Sequence, residues 1–207
     1  MCKTWCLFFL VCCCHVTKGN PDAVEKIPID SRRLYQELNL KDVVGFQAFD
    51  EALKGFRRFE HEREILTLID FTKPSTEKRL CVIDLQRQRL LFESHVSHGR
   101  NSGDNYAVSF SNRPQSFKSS LGFFRTGNTY YGKNGYSLVL EGLETGKNDK
   151  ARERAIVMHG AKYADPAVIK KQGRLGRSLG CPALPPAVSR EIIDTIKDGA
   201  LLYIHGK

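Results

Sequence analysis

The hydrophobic positions change period along this chain, and the change divides it into a helical start and a strand-rich body. Between Asp30 and Leu40, Leu34 and Leu38 stand four apart on one helical face, and Asp30 or Ser31 offers a side-chain oxygen to the first free N–H groups. A short helix is expected. From Lys41 to Glu60, Phe46, Phe49, Leu53 and Phe56 recur at intervals of three, four and three, which predicts a second helix with an aromatic packing stripe.

From Ile65 the pattern turns extended. Ile65–Phe71, Leu80–Leu85 and Leu90–Val96 are apolar runs separated by the turn segments Lys73-Pro74-Ser75-Thr76 and Gln86-Arg87-Gln88, which predicts antiparallel strands. Asn134-Gly135, between Thr129–Tyr131 and Tyr136–Leu140, reads as a two-residue hairpin turn with both residues at positive φ. Ala155–Met158 is a nearly continuous apolar run, consistent with a buried strand that ends at His159. Pro186 suits the first turn of a helix carrying Val188, Ile192 and Ile196, with Gly199 to close it, and Leu201–Ile204 supplies a last strand. No repeat of solenoid length interrupts the series. The fold class is therefore mainly β with flanking helices, α+β.

At 207 residues, 41% hydrophobic and 27% charged, the chain is one domain's worth of material, and disorder, collagen and coiled coil are excluded. The net charge of +9 permits an acidic partner. Lys and Arg are scattered without a recognition helix or base-stacking motif, so no nucleic acid is expected, whereas anionic cell-envelope polymers fit a basic surface. Five of the seven cysteines (Cys2, Cys6, Cys12, Cys13, Cys14) lie in the first fourteen residues. Lys3, the apolar run Trp5–Cys14 and the polar stretch His15–Asn20 have the layout of a secretory signal peptide over 1–19. The run is shorter than the roughly 20 apolar residues of a membrane span. A protein secreted to the periplasm or cell envelope without an integral span is expected, with Cys12–Cys14 as an alternative lipid attachment site.

Cys181 lies in the glycine-rich segment Arg177-Ser178-Leu179-Gly180-Cys181-Pro182-Ala183, which argues for a partly exposed thiol. A thiol near a cationic histidine and free backbone N–H groups has its pKa lowered, and a strand-end His159 would take its proton and return it to a leaving amine. The residues alone do not separate this from a small buried hydrophobe beside a satisfied histidine. His-Gly occurs three times, at 98, 159 and 205, so the dipeptide has no specificity.

Context supplies it. Arg154-Ala155-Ile156-Val157-Met158-His159-Gly160-Ala161-x-Tyr163, followed by Gly173-Arg174-Leu175-Gly176-Arg177-Ser178-Leu179-Gly180-Cys181-Pro182-Ala183, resembles the signature of the murein L,D-transpeptidases, the YkuD-like family, in the branch whose cysteine precedes Pro-Ala. Val96–Gly99, Phe110–Asn112, Ser119–Phe123, Tyr131–Leu138 and Gly142–Glu144 extend the likeness over roughly 80–207.

The resemblance implies a β-sandwich or barrel catalytic domain over 63–207, preceded by a helical segment over 20–62. It implies cysteine-dependent acyl transfer on peptidoglycan stem peptides: the thiol attacks the carbonyl between an L- and a D-centre, expels D-Ala and forms a thioacyl-enzyme that a second stem's amine resolves. Carried over, Cys181 is the nucleophile and His159 the general acid/base, with Gly180 and Ser178 framing the catalytic turn. Gly160, Arg177 and Tyr131 are the expected substrate contacts. The better-known branch has histidine and arginine where this chain has Leu179 and Ala183, so carboxylate recognition falls to Arg177 or Arg174.

Pro182 has no N–H, so oxyanion donors must come from Cys181, Gly180 or Leu179, and it biases Cys181 toward an extended turn. Cys81 alternates onto the side of Ile83 and Leu85 as inert core, and both body thiols are expected to be free. A zinc site of Cys181, His159 and His98 lacks a short-spaced ligand pair, so no metal or organic cofactor is implied. A monomer is expected. The alternatives are an L,D-carboxypeptidase or hydrolase of wall-linked peptides, and a non-catalytic wall-binding module.

Overall fold

The computed structural model describes Met1 and residues 30–207; the expected leader at 1–19, with its five cysteines, and the first part of the helical segment lie outside the described residues. Helix α1 (Ser31–Glu37) begins where Asp30 Oδ1 accepts from the N–H groups of Arg32 and Arg33, at 2.9 and 3.1 Å. The second helix is shorter than the stripe predicts. Asn39 turns left-handed at φ 51, Leu40–Asp42 form a 3-10 turn, and α2 (Phe46–Arg58) starts from an extended Gly45.

The strands are β1 (Ile65–Asp70), β2 (Leu80–Asp84), β3 (Arg89–Ser94), β4 (Gly122–Gly132), β5 (Gly135–Gly142), β6 (Val157–Gly160), β7 (Ala183–Leu184) and β8 (Leu201–His205). Helix α3 (Ala167–Gln172) and helix α4 (Pro186–Ile196) lie among the last of them. All eight strands form one sheet in the order β3-β2-β1-β8-β4-β5-β6-β7, antiparallel except for β1/β8 and β6/β7. Beyond β3 the chain runs on to Ser97, which bridges Ala183 of β7 at the far edge. The sheet is thereby nearly closed, the barrel form of the expected architecture.

Alternation along the strands builds two cores. Leu66, Leu68, Cys81, Ile83, Leu201 and Tyr203 face α2, packing on Phe49, Ala52, Leu53 and Phe56. Ile69, Leu80, Val82, Leu202 and Ile204 face the other way, onto Ile192, Ile193 and Ile196 of α4. Each fully buried aliphatic side chain contributes about 1.5–3 kcal/mol.

Local details depart from expectation in three places. Gly132 pairs with Gly135, so the hairpin turn is Lys133-Asn134, and only Gly135, at φ 75, takes the left-handed conformation. A turn followed by a left-handed glycine suits the strands' twist as well as a primed turn. The strand expected over 155–158 is displaced to β6, because Ala155 is left-handed at φ 51. Helix α4 has Pro186 in its first turn but ends at Ile196; Asp198 and Gly199, at φ 60 and 91, form the bend into β8.

Candidate active site

Strand β6 carries His159, and the segment entering β7 carries Cys181. His159 pairs with Ala183 in parallel register, and Ser97 pairs with Ala183 from the other side through Ser97 N to Ala183 O (2.8 Å) and Ala183 N to Ser97 O (3.3 Å). Upstream, Ser178 N donates to His98 O and Arg100 N to Ser178 O, at 2.9 and 2.8 Å. The segment that carries Cys181 thus lies between β6 and the 97–100 strap. Cys181 lies in the bend two residues before Ala183 and belongs to one hydrophobic cluster with Val157, Met158 and Leu184. Its Sγ accepts from Val157 N at 3.5 Å and its thiol points to Ala155 O at 3.6 Å, while Val157 is itself two residues from His159.

The turn that presents the thiol is fastened by one hydroxyl. Ser178 Oγ donates to Cys181 O at 2.6 Å and accepts from Gly180 N at 3.0 Å. Gly180 sits at φ 128, and a β-carbon there would stand 2.9 Å from both Ile156 Cδ1 and Lys118 O and 3.4 Å from Arg154 Nη2. Only glycine fits. Ser119 Oγ donates to Gly180 O at 3.1 Å and accepts from Gly99 N at 3.0 Å, tying the turn to the strap. Of the three expected oxyanion donors, Gly180 N–H is therefore committed to Ser178. The N–H of Leu179 makes no backbone–backbone hydrogen bond among the described residues, and that of Cys181 turns toward its own sulfur.

The thiol is not the half-exposed group that its glycine-rich setting suggests: Cys181 is 7% exposed and His159 4%. Burial pushes the thiol pKa up, opposed by the Val157 N–H and the Arg154 charge. Burial likewise holds the His159 imidazole below its usual value, opposed by the Gly160 carbonyl. His159 Nδ1 lies 3.1 Å from Gly160 O, and a carbonyl only accepts, so the proton of the neutral ring sits on Nδ1 and the lone pair on Nε2. The resting pair is thus a neutral thiol and a neutral base.

Other expected contacts are disposed differently. Arg177 Nη1 donates to Gly103 O at 2.9 Å and pairs with Asp104 at 3.4 Å, and Arg174 pairs with the same carboxylate. Both fasten the loop after the strap. Tyr131 pairs with Tyr136, one residue out of step with the row Tyr130–Ser137–His159, so it lies on the face opposite His159 and its hydroxyl is held by Arg190 of α4. Tyr130 is the tyrosine on the His159 face. Gly160 leaves room for α4, since a β-carbon would lie 2.4 Å from Ser189 Oγ. Cys81 is fully buried and its thiol free.

Two residues went unassigned in the sequence. Tyr163 stands edge-on to His159 at 6.5 Å, and burial together with nearby Cys181 pushes its phenol up to about 12. The Arg154 guanidinium lies close enough to Cys181 for its charge to lower the thiol's pKa. Both lie in the signature stretch, but their long-range partners are invisible in it. Among the described residues no group of three or more His, Cys, Asp or Glu is set to hold a metal ion, and no helix is long and apolar enough to cross a membrane.

The nearly closed sheet carries His159 on β6 and Cys181 just before β7, and comparison identifies the family. Residues 40–205 match the profile described as the L,D-transpeptidase catalytic domain, and the chain belongs to that family. No curated protein matches. Among solved structures, the helical cell shape determining protein Pgp2 from Campylobacter jejuni is 17% identical, with a TM-score of 0.48 over 72% of this chain and 50% of its own. An L,D-transpeptidase from Mycobacterium smegmatis is 15% identical, with a TM-score of 0.41 over 69% of this chain and 59% of its own. The chain thus spans about half to three-fifths of the length of these structures.

Proposed function

We propose that the protein is a peptidoglycan L,D-transpeptidase working through a thioacyl-enzyme on Cys181. His159 Nε2 takes the thiol proton as sulfur attacks the stem carbonyl between the L- and D-centres, and the carbonyl oxygen becomes an oxyanion. Its donors are the N–H groups of Leu179 and Cys181, each worth on the order of 3 kcal/mol in such a role. Collapse breaks the C–N bond, and the imidazolium gives its proton to the departing D-Ala amine. A second stem's amine then attacks the thioester, His159 takes its proton, and the new amide leaves with the sulfur regenerated as thiol.

The observation that supports this reading is the bond from Val157 N to Cys181 Sγ, which joins the thiol to β6 two residues before His159, whose imidazole lone pair lies on Nε2. The test is incubation with tetrapeptide-bearing muropeptides, following D-Ala release and the intact mass of the protein. An acyl adduct that maps to Cys181 and is lost in Cys181→Ala is expected; neither release nor adduct would remove the proposal. Product analysis with and without an acceptor stem separates amide formation from hydrolysis by water. In this reading the protein acts in the cell envelope, on the wall itself.

A further inference from the structure

We infer that Arg154 is a positioning residue for the nucleophile, a fixed guanidinium without a counter-ion that lowers the cost of forming the Cys181 thiolate. The inference rests on Cys181 being the nucleophile, and it adds a residue to that site.

Three observations on Arg154 converge. The first is its restraint: Nη1 donates to Ser111 O (2.6 Å) and Ser120 Oγ, and Nη2 donates to Ser116 Oγ (3.1 Å) and Lys118 O (2.6 Å). All four terminal N–H bonds are used, so the fork cannot swing. The second is charge. Every one of those acceptors is neutral, and Arg154 forms no ion pair among the described residues. Arg33, Arg87, Arg125, Arg152, Arg174 and Arg177 all have a carboxylate. A half-buried cation without a counter-ion is costly unless an anion forms beside it.

The third is place. Arg154 Nη2 lies 3.4 Å from where a β-carbon of Gly180 would stand, one residue before the nucleophile. Arg154 also directly precedes Ala155, whose carbonyl faces the thiol. The group beside it that can become an anion is Cys181. The two are coupled: the sulfur raises the arginine's basicity against burial, and the arginine lowers the thiol's.

The other ionisable groups around the sulfur do not take this role. His159 is held neutral by burial, and Tyr163, up to about 12, carries no charge at working pH. Lys118 Nζ is bound to Ser109 Oγ, and only its backbone carbonyl meets the turn. Glu153 is exposed, on the wall of a cavity of about 340 Å³ that Arg154, Phe117 and Leu179 also line. It would oppose the thiolate. Arg154 is thus the fixed positive charge next to the thiol before any proton moves, and imidazolium joins it only after transfer.

The experiment follows iodoacetamide alkylation of the full-length chain from pH 6 to 10, reading the Cys181 peptide by mass spectrometry, which needs no peptidoglycan substrate. An opposite charge at this range changes thiolate population by a factor of ten or more, so Arg154→Gln should slow alkylation at pH 7 roughly tenfold and move its midpoint to higher pH. Arg154→Lys should return the midpoint toward wild type. Ser116→Asp keeps every bond to Arg154 but gives it a carboxylate, and should also move the midpoint up, which keeps the test decisive if the glutamine variant does not fold. A wild-type midpoint in Ser116→Asp, or a lysine variant that moves as far as the glutamine one, overturns the inference. Failure to turn over stem peptides with these shifts intact would count against the proposed function and leave the role of Arg154 standing.

Discussion

Replacing Ser178 with alanine separates a residue that holds the nucleophile from one that acts on substrate. The hydroxyl makes two bonds, to Cys181 O at 2.6 Å and from Gly180 N at 3.0 Å, and both partners are buried. Leaving a buried donor and a buried acceptor unpaired costs about 1–3 kcal/mol each, and relaxation of the turn recovers part, so a loss of about 2 kcal/mol is expected. For a domain of this size that lowers the melting temperature by roughly 4–8 °C. The freed turn displaces Sγ from Val157 N, and a displacement of about 1 Å slows acylation on the order of a hundredfold. Thermal melts followed by circular dichroism, with acylation by a stem tetrapeptide timed by intact mass, measure both quantities. Ser178→Thr, which keeps the hydroxyl, should recover most of each. An unchanged melt with acylation abolished would refute the reasoning, because it would make the hydroxyl a participant in the chemistry; no change in either would mean that the turn is held by something else.

Ser97→Ala should stabilise the fold by about 1 kcal/mol, read as a higher urea midpoint, because its fully buried hydroxyl has no hydrogen-bond partner among the described residues; a lower midpoint counts against this. Gly180→Ala, at φ 128 and against Lys118 O, should lose about 2–4 kcal/mol of stability by denaturant titration together with the Cys181 adduct, and wild-type acylation in a folded variant would contradict the geometry. His98, held down to about 4 by burial and Arg79, stays neutral in the fold while its unfolded counterpart protonates near 6.5. It therefore destabilises the protein progressively as pH falls from about 6.5 to 4, by up to roughly 3 kcal/mol. The urea-midpoint gap between wild type and His98→Asn should accordingly narrow from pH 7 to pH 4.5, and a constant gap rules this out.

What was legible in the sequence follows from how local each determinant is. Helices α1, α2 and α4 and seven of the strands carry their own period and could be read from neighbours along the chain, and the resemblance of the segments around them named the candidate pair Cys181 and His159, whereas α3 went unread. Strand β7 could not. It is two residues long between Pro182 and Pro185, and its pairing depends on Ser97 and Gly160, far away in sequence. The same distance hid the burial of Cys181, since glycine-rich chain reads as exposed until the strap lies over it. Tyr131 and Tyr130 are adjacent and chemically alike; only the Tyr130–Ser137–His159 register decides which shares the face of His159. Arg154 stood within the signature, yet its acceptors lie 34 to 43 residues upstream, beyond the reach of any motif.

The two arginines beside the nucleophile segment show why its scaffolding is neutral. Fully buried Arg79 donates twice to Val96 O, at 3.1 and 2.8 Å, and once to Lys73 O, and it faces His98 Nδ1 at 2.8 Å, holding the start of the strap. Arg154 fastens the 111–120 loop on the other side in the same way. Carboxylates would bind either guanidinium more strongly, but a carboxylate next to Cys181 would raise the cost of a thiolate that burial already disfavours. Backbone carbonyls and serine hydroxyls give the same geometry without that charge. The loops are thus held tightly enough to fix the sulfur to β6, while the positive field that sulfur needs on ionisation is left intact, and this is why Ser116→Asp, which improves the arginine's bonding, is expected to impair the thiol.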